Sequence, residues 1–365
     1  MADKITFNLD GKSVTAEPGE TIWEVAKREG TTIPHLCHSG EQGYRSDGNC
    51  RACMVEIDGE RTLAASCIRT PSPDMVVKSE SHRATSARKM VMELLVADQP
   101  AQDVAHDKSS HLWDMAELNG VTDSRFPALE PDRIPLLDDS HVAMNVNLDA
   151  CIQCNLCVRA CREVQVNDVI GLAGRGQDAK IVFDLDDPMG ASSCVACGEC
   201  VQACPTGALM PASNVDAAQV GDSKDYDEEV KSVCPFCGVG CQISLKIKDN
   251  KVKWVDGIDG PANENRLCVK GRFGFDYIDH KHRLTKPLIR LENAPKGLNV
   301  DPGNPLTHFR EASWEEAMDV AANGLKGRGR EVAGFGSAKC SNEEAYLFQK
   351  FIRQGFGHNN VDHCT

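Results

Sequence analysis

The chain has 365 residues and a formal net charge of −14 at pH 7, from 54 acidic and 40 basic residues. An acidic balance of this size argues against a nucleic-acid-binding surface, which needs basic patches. Hydrophobic residues make up 41% of the chain, and the length predicts about two or three folded domains. No run of about 18 apolar residues occurs, so the sequence predicts no membrane span, and the first residues carry no export signal. The unusual feature is the presence of 18 cysteines.

The first predicted elements belong to a small sheet. Apolar residues alternate with polar ones along two predicted strands: Ile5, Phe7, Leu9, Val14 and Ala16. Asp10-Gly11, between these strands, is a hairpin signal. Thr21 and Glu24 form a capping box that begins a helix, and Gly30 ends it.

A cysteine-rich loop follows this helix. Its four cysteines have the spacing C-x12-C-x2-C-x13-C: Cys37, Cys50, Cys53 and Cys67. Gly40, Gly43 and Gly48 allow the loop to fold tightly. The pattern is similar to that of plant-type 2Fe–2S ferredoxins, although their first gap is shorter. Two strands, a helix and a cysteine loop predict a β-grasp 2Fe–2S domain over residues 1–80.

Residues 81–145 are predicted to form a helical connector. Its residues 87–95 have helical periodicity. We expect three apolar side chains of this helix to lie in the core: Met90, Met92 and Leu94. His106 and His111 lie in a polar stretch, and we expect them to be solvated rather than bound to a metal ion.

The strongest metal-binding signal lies in residues 146–215. Two cysteine runs with the bacterial ferredoxin spacing C-x2-C-x2-C-x3-C occur there, offset by 43 residues: Cys151, Cys154, Cys157 and Cys161, then Cys194, Cys197, Cys200 and Cys204. In two-cluster ferredoxins the fourth cysteine of each run binds the other cluster. We therefore expect two 4Fe–4S clusters on crossed sets: Cys151, Cys154, Cys157 and Cys204 for one, and Cys161, Cys194, Cys197 and Cys200 for the other. Pro205 follows Cys204 as the motif requires, whereas Arg162 replaces proline after Cys161.

A fourth cysteine group lies beyond an acidic segment. Residues 216–229 carry six acids and one lysine, which is typical of a solvated linker rather than a binding patch. Residues 230–285 then contain three neighbouring cysteines and one distant one: Cys234, Cys237, Cys241 and Cys268. A strand over residues 243–247 and a turn at 248–250 are predicted between them. This spacing suits a single 4Fe–4S cluster in a separate small domain.

Two other uses of cysteine compete with iron–sulfur clusters. A disulfide framework is typical of short secreted chains, and this chain has neither that length nor an export signal. Structural zinc also uses C-x2-C pairs. Three thiolates packed into one short loop are instead typical of a cubane, in which each corner iron takes one thiolate. Zinc stays open as an alternative, most of all for the fourth group, which fits a zinc ribbon loosely.

Residues 286–365 predict the start of an α/β domain. Residues 331–337 have the pattern of a strand that runs into a turn. Two Ser/Glu pairs cap predicted helices: Ser313 with Glu316, and Ser341 with Glu344. The second helix is expected to continue to about Gly355. A strand–turn–helix unit places backbone N–H groups where the phosphates of a dinucleotide can bind, although an ordinary α/β unit has the same pattern.

Taken together, these groups resemble the N-terminal part of the α (catalytic) subunit of cytoplasmic NAD-dependent formate dehydrogenases that contain molybdenum or tungsten. The resemblance covers the whole chain, and its front end is also similar to the large iron–sulfur subunit of respiratory complex I. It rests on the four cysteine groups and on three local sequences: CPFCGVGC…LCVKG at 234–271, RLTKPLIR at 283–290 and NNVDHCT at 359–365.

The resemblance implies an α+β multidomain chain: a β-grasp 2Fe–2S ferredoxin, a helical connector, a two-cluster 4Fe–4S ferredoxin, a 4Fe–4S domain and the start of an α/β domain. The last of these would bind bis-molybdopterin guanine dinucleotide with molybdenum or tungsten. Lys270 matches the family's lysine on the electron path between cluster and pterin. The expected cofactor contacts are Lys270, Gly336, Ser337, Cys340, Asn342 and Glu343. Cys340 and Cys364 are expected to bind no cluster.

Two departures from the family pattern carry expectations of their own. The metal ligand, a cysteine or selenocysteine, would fall a few residues after Thr365, so we expect the chain to be the front part of a longer subunit. The family often holds a further cluster with one histidine and three cysteines, but residues 98–112 contain no cysteine. The corresponding positions are Gln99, Asp103, His106 and Leu112, and we expect that cluster to be absent.

The function implied by the resemblance is the oxidation of formate to CO2. The electrons would pass through the iron–sulfur clusters to one or more flavin- and NAD-binding iron–sulfur subunits of the same cytoplasmic complex, without nucleic acid or membrane. The alternatives are a complex-I-type or hydrogenase-type electron-transfer subunit, and a zinc-stapled scaffold. Lys270 and the intact fourth cysteine group argue against the complex-I type. The active-site cysteines of an iron-only hydrogenase would follow the ferredoxin runs in a pattern that is not present.

Overall fold

A computed structural model describes residues 4–130, 133–297 and 299–363, with only the backbone at Gln177. The N-terminal domain is a five-stranded sheet with one helix against it. Its elements are β1 (Ile5–Leu9), β2 (Lys12–Ala16), α1 (Ile22–Arg28), β3 (Met54–Ile57), β4 (Ala64–Ala65) and β5 (Val76–Lys78). The strand order is β2-β1-β5-β3-β4, with β1 and β5 parallel and the other pairs antiparallel.

Local sequence signals set the geometry of this domain. Asp10 and Gly11 form the tight turn between β1 and β2, with φ angles of 50° and 85°, which confirms the predicted hairpin. The capping box of α1 is confirmed as well, because the Thr21 side chain accepts from the Glu24 backbone and the Glu24 carboxylate accepts from the Thr21 backbone. Apolar residues of β1, β2 and α1 then share one core with Cys53 and Cys67.

The connector contains α2 (His82–Ala97) and α3 (His111–Leu118). Four side chains of α2, four positions apart, are buried: Ala84, Arg88, Met92 and Val96. The prediction was right for Met92 but wrong for Met90 and Leu94, which are 39% and 47% exposed. Helical spacing places these two residues on the face opposite the buried stripe.

The prediction that the two connector histidines are solvated was wrong. The structure buries His106, whose Nδ1 lies 2.6 Å from the carbonyl oxygen of Gly207. His111 is half-buried, and its Nε2 lies 3.0 Å from the carbonyl oxygen of His35. Both contacts are made with other domains, which the polar sequence around the histidines does not reveal.

The next domain shows the 43-residue repeat in its backbone. Its elements are β6 (Met144–Val146), α4 (Leu156–Arg159), β7 (Ile170–Ala173), β8 (Lys180–Phe183), α5 (Glu199–Ala203) and β9 (Leu209–Pro211). The residues before α4 and α5, Asn155 and Gly198, both have left-handed φ angles, of 63° and 70°. Helix α4 continues as a π-helical turn over Ala160–Val164. Arg162 allows this continuation, whereas Pro205 follows the end of α5.

A three-stranded antiparallel sheet follows, made of β10 (Glu228–Val233), β11 (Gln242–Lys248) and β12 (Lys251–Gly257), and then α6 (Val269–Phe273). The predicted strand and turn agree with β11 and with the left-handed Asp249 and Asn250. The predicted linker is more ordered than expected. Strand β10 begins within it, and the Asp225 carboxylate pairs with Lys248 and Lys253, at 2.9 Å each.

The C-terminal elements are β13 (Leu288–Arg290), β14 (Phe309–Glu311), α7 (Trp314–Leu325), β15 (Gly334–Gly336), α8 (Asn342–Phe356) and β16 (Val361–His363). Strands β15 and β16 are parallel and α8 connects them, so this part is a βαβ unit. The predicted N-caps of α7 and α8, Ser313 and Ser341, are confirmed. Cys364 lies outside the described residues. In the part of the chain that the structure describes, no helix is long and apolar enough to cross a membrane.

Candidate iron–sulfur sites

The first cysteine group forms one cluster of thiols beneath the loop after α1. The backbone N–H of Cys37 donates to Cys50 Sγ, and that of Cys50 donates to Cys37 Sγ, both at 3.4 Å. Hydrogen bonds from the Cys50 and Cys67 thiols lower the pKa of Cys37, and a hydrogen bond from Cys67 lowers that of Cys53. The pKa values of Cys50 and Cys67 are raised, by their hydrogen bonds to these two thiolates and by burial. The group thus favours thiolates at Cys37 and Cys53, and the thiolate is the metal-binding form of cysteine.

The loop around this group is tightly packed. Gly48 has a φ of 65°, and a Cβ built on it would lie 2.8 Å from the Cδ1 atom of Ile68. Gly43 also has a left-handed φ, of 91°, whereas Gly40 does not. The predicted need for glycine in the loop therefore applies to two of the three positions.

The two ferredoxin runs form two cavities. The walls of one include Cys151, Cys154, Cys157 and Cys204. The walls of the other include Cys161, Cys194, Cys197 and Cys200. The structure thus brings together the two crossed sets, with the fourth cysteine of each run beside the first three of the other.

Half of these thiols are buried and the others are half-buried, and some receive backbone hydrogen bonds. Burial, together with the neighbouring thiols, raises the pKa of Cys157 and of Cys200 well above the ordinary value. Deprotonating them therefore requires a compensating positive charge, which a bound metal cluster supplies. The N–H groups of Gln153 and Ala196, which are related by the repeat, donate to Cys151 Sγ at 3.4 Å and to Cys194 Sγ at 3.3 Å. Such hydrogen bonds to sulfur tune the potential of an iron–sulfur centre.

The fourth cysteine group lies between β10, β11 and α6. The N–H of Cys234 donates to the carbonyl oxygen of Cys241 at 2.8 Å, which brings the ends of the short motif together. Cys234 is buried, whereas Cys237 and Cys268 are exposed. Burial raises the pKa of Cys234 and of Cys241, and the other thiols of the group add to both shifts. The donor set is four thiols, which suits either a cubane or zinc.

This group lies beside the loop that joins β15 to α8. A Cβ built on Gly238 would lie 3.5 Å from the carbonyl oxygen of Ala338. Five expected pterin contacts are at the end of β15, in this loop or in the first turn of α8: Gly336, Ser337, Cys340, Asn342 and Glu343. The Cys340 thiol donates to the carbonyl oxygen of Ser337 at 2.9 Å. Lys270 is exposed in the first turn of α6.

The other expectations concern disulfides and the connector. All cysteines from Cys37 to Cys340 are free thiols. Within residues 4–130, 133–297 and 299–363, no group of three or more His, Cys, Asp or Glu side chains is arranged for one metal ion. Of the four positions that correspond to the family's additional cluster, Gln99 is half-buried and Asp103 is exposed. His106 and Leu112 are buried.

Two buried arginines, which the sequence argument did not single out, join the cysteine sites across domain boundaries. Arg159 donates to the carbonyl oxygen of Cys37 at 2.7 Å, and Arg272 donates to that of Cys197 at 2.9 Å. Both arginines are 2% exposed. The signal available in the sequence was the position of Arg159 between Cys157 and Cys161, where a charged side chain on a short cysteine-containing helix has to find a partner.

Glu199 connects both outer domains to the ferredoxin domain. The Tyr44 hydroxyl donates to its Oε1 at 2.9 Å, and Arg272 Nη2 lies 3.4 Å from its Oε2. Burial and the Glu199 carboxylate raise the pKa of Tyr44, so its hydroxyl stays protonated and able to donate. One buried carboxylate is thus in contact with the N-terminal domain and with the Cys234–Cys268 domain.

Comparison with known proteins agrees with this division of the chain. Residues 2–82 match the 2Fe–2S iron–sulfur cluster binding domain, and residues 150–208 match the 4Fe–4S dicluster domain. Residues 227–280 match the molybdopterin oxidoreductase Fe4S4 domain, and residues 283–365 match the molybdopterin oxidoreductase domain. The fold and the sites therefore define an iron–sulfur protein of the molybdopterin oxidoreductase class.

Similar proteins include two that are named as formate dehydrogenases and one hydrogenase chain. The whole chain is similar to a "Putative formate dehydrogenase" of Staphylococcus haemolyticus, with 29% identity over 39% of that protein, and to one of Staphylococcus aureus, with 28% identity over 39%. A chain in the crystal structure of an NAD+-reducing [NiFe]-hydrogenase is 31% identical, with a TM-score of 0.51, over 57% of this chain and 87% of that one. The chain resembles the N-terminal iron–sulfur region of formate-dehydrogenase-type molybdopterin oxidoreductases. It spans about two fifths of the length of the curated relatives that it matches.

Proposed function

We propose that this chain is the electron-relay part of the catalytic subunit of an NAD-dependent formate dehydrogenase. The complete enzyme would oxidise formate to CO2 at a bis-molybdopterin guanine dinucleotide centre with molybdenum or tungsten. It would deliver the electrons to a flavin- and NAD-binding iron–sulfur subunit of a cytoplasmic complex. The observation that carries this proposal is the sequence of contacts between four cysteine sites, from the N-terminal loop to the loop before α8.

The contacts support a continuous path. Cys37 of the first site and Cys154 of the second share one small apolar cluster with Leu156. The second and third sites share the core of one domain. The third and fourth sites are joined through Arg272, and the fourth lies beside Ala338 of the tail.

The chain's own residues would hold one 2Fe–2S and three 4Fe–4S clusters, which supply one-electron transfer when bound. The 2Fe–2S cluster would be bound by Cys37, Cys50, Cys53 and Cys67. The three 4Fe–4S clusters would be bound by three sets of four: Cys151, Cys154, Cys157 and Cys204; Cys161, Cys194, Cys197 and Cys200; and Cys234, Cys237, Cys241 and Cys268. The apolar side chains around the first three sites exclude water, which tunes the potential of such centres. The tail residues named above would contact the pterin, and Lys270 would lie between it and the fourth site.

Iron and sulfide analysis of the complete subunit tests the cluster assignment. We expect about 14 iron and about 14 sulfide per chain, two of each for the 2Fe–2S site and four of each for every cubane. Stoichiometric zinc without acid-labile sulfide would instead support the alternative of a scaffold whose cysteines bind structural zinc. Cys340→Ser serves as a control and should retain all of the iron.

Paired substitutions distinguish crossed from uncrossed ligation. If the sets are crossed, the double variant Cys157→Ser/Cys204→Ser damages one site and loses about four irons. The double variant Cys157→Ser/Cys161→Ser then damages two sites and loses about eight. The reverse result would show that each run binds its own cluster.

Activity of the assembled complex tests the substrate. Formate-dependent reduction of NAD, with stoichiometric pterin, is the expected result. The likeness to a chain of an NAD+-reducing [NiFe]-hydrogenase favours a hydrogenase-type relay as the second candidate. Reduction of NAD by hydrogen but not by formate would support that candidate.

A further inference from the structure

The two junctions between cysteine sites have the same construction. At each junction, one arginine that is 2% exposed donates to the backbone carbonyl of a cysteine across the boundary. Arg159 lies on the helix between Cys157 and Cys161 and reaches the first site. Arg272 lies four residues after Cys268 and reaches the third site. Each guanidinium is therefore located between two neighbouring sites of the proposed relay.

The repeat relates these junctions. The position 43 residues after Arg159 is Gln202, and Gln202 Oε1 accepts from Arg272 Nη1 at 2.6 Å. Equivalent positions on α4 and α5 thus face the two outer domains. On α4 the position carries the arginine itself, and on α5 it carries the acceptor for an arginine of the outer domain.

Acidic partners hold both charges in place. Arg159 Nη1 lies 2.5 Å from Asp47 Oδ2, and Arg272 lies 3.4 Å from Glu199 and 3.6 Å from Asp256. These partners compensate the desolvation of the guanidinium groups. Removing only Arg159 would leave Asp47 with the exposed Arg45 as its ion-pair partner. Removing only Arg272 would leave Glu199 with the Tyr44 hydroxyl. Removing only a carboxylate would leave more uncompensated positive charge near the cysteine sites.

We propose that Arg159 and Arg272 are positioning residues that fix neighbouring cluster sites relative to each other and raise their reduction potentials. The inference rests on the proposed electron-relay function. Each transfer moves one electron from one site to the next, and no bond forms or breaks. A fixed positive charge stabilises the more negative, reduced state of the sites on either side, because it is buried and poorly screened by salt.

EPR-monitored redox titration of the complete holoenzyme tests this inference in Arg159→Gln and Arg272→Gln. In Arg159→Gln the first and second sites should become harder to reduce, by about tenfold in the reduction equilibrium, or about 59 mV for a one-electron couple. The fourth site should keep its wild-type potential. In Arg272→Gln the third and fourth sites should shift downward, and the first should not. Equal shifts at all four sites would overturn the inference.

Variants that change the charge of Asp47 or keep the charge of Arg159 test the electrostatic role at the first junction. Asp47→Asn should shift the same two sites upward, and Arg159→Gln/Asp47→Asn should fall between the single variants. Arg159→Lys keeps the charge and should restore most of the potential. If Arg159→Gln fails to assemble, Arg159→Lys and Asp47→Asn decide the question, since an unchanged potential in Asp47→Asn contradicts the electrostatic role.

Arg45→Gln is the matched control. Arg45 lies at the same junction and pairs with Glu163 at 2.9 Å and with Asp47 at 3.0 Å, but its side chain is 66% exposed. Loss of these solvent-screened pairs should shift the potentials much less than loss of Arg159 does. If Arg45→Gln and Arg159→Gln shift the potentials equally, burial of the charge is not the cause. Iron and sulfide content of the wild type distinguishes failure of the proposed function from failure of this inference. A wild type without clusters would refute the proposed function. Intact clusters whose potentials do not shift in the arginine variants would refute only this inference.

Discussion

Replacing Gly198 by alanine should loosen the junction between the ferredoxin domain and the Cys234–Cys268 domain. Gly198 precedes α5 and has a φ of 70°. A Cβ at this position would lie 2.2 Å from Arg272 Cδ and 2.9 Å from Phe273 Cζ. Arg272 cannot swing away freely, because it donates to the carbonyl of Cys197 and to Gln202. The added methyl group therefore has to displace α6.

The expected cost has two parts. A left-handed φ costs a non-glycine residue about 1–2 kcal/mol, and an extra methyl group in a packed contact costs about 1–3 kcal/mol. The strain in φ falls on the start of α5. The steric part, about 1–3 kcal/mol, falls on the contact with α6 and corresponds to amide exchange of α6 that is about 5-fold to 160-fold faster. Gly120→Ala is the control, because Gly120 has a φ of 64° and no atom within 4 Å of the added Cβ.

Hydrogen exchange on the holoprotein is the appropriate assay, because a multidomain chain does not have a single unfolding free energy. Gly198→Ala should deprotect α6, whereas Gly120→Ala should affect only the end of α3, by about 1–2 kcal/mol. Unchanged protection of α6 in Gly198→Ala would refute the argument, since it would mean that Arg272 is free to move.

Three further predictions concern other parts of the chain. Burial lowers the pKa of His106 below 6.5, so its stabilising contribution is full above about pH 6.5 and is lost as the pH falls toward the folded-state value. His106→Gln should therefore lose less thermal stability than the wild type between about pH 7.5 and pH 5.5, and an equal loss would contradict this assignment. Tyr44→Phe removes a hydrogen bond to Glu199 and should destabilise the junction by about 1.5–3 kcal/mol. A double-mutant cycle measured by hydrogen exchange checks this: if Tyr44→Phe costs as much stability in a Glu199→Gln background as in the wild type, the bond contributes nothing. Met92→Ala should lower the opening free energy of α2, measured by amide exchange, by about 2–5 kcal/mol. Leu94→Ala, at a side chain that is 47% exposed, should lower it by less than about 1 kcal/mol. Similar losses in the two variants would refute the assignment of Met92 to the buried face.

The sequence predicted best those features whose partners are close along the chain. The capping box of α1 joins residues three apart, so Thr21 and Glu24 suffice to predict it. The proximity of the crossed cysteine sets was predicted at longer range, because in two-cluster ferredoxins the fourth cysteine of each run binds the other cluster. The backbone confirms the repeat itself, since Asn155 and Gly198 are both left-handed.

The features that were missed depend on packing between distant segments. Arg159 contacts a carbonyl 122 residues away, and His106 contacts one 101 residues away. No local pattern distinguishes a buried arginine or histidine from a solvated one, because the difference lies in which domain covers it. The same reason explains Met90 and Leu94: periodicity predicted the helix, but the face that is buried depends on the position of the neighbouring sheet.

The buried arginines need an explanation other than stability, because a buried ion pair contributes little net stability compared with apolar side chains of similar size. Contacts between domains are by default polar and mobile. An apolar contact at these junctions would tolerate sliding, whereas Arg159 and Arg272 each connect a directional hydrogen bond to the backbone of a cysteine that the proposal assigns as a ligand. A small shift between domains then costs a hydrogen bond and separates a carboxylate from its buried arginine. We infer that the junctions are built to keep the separation between neighbouring cysteine sites constant.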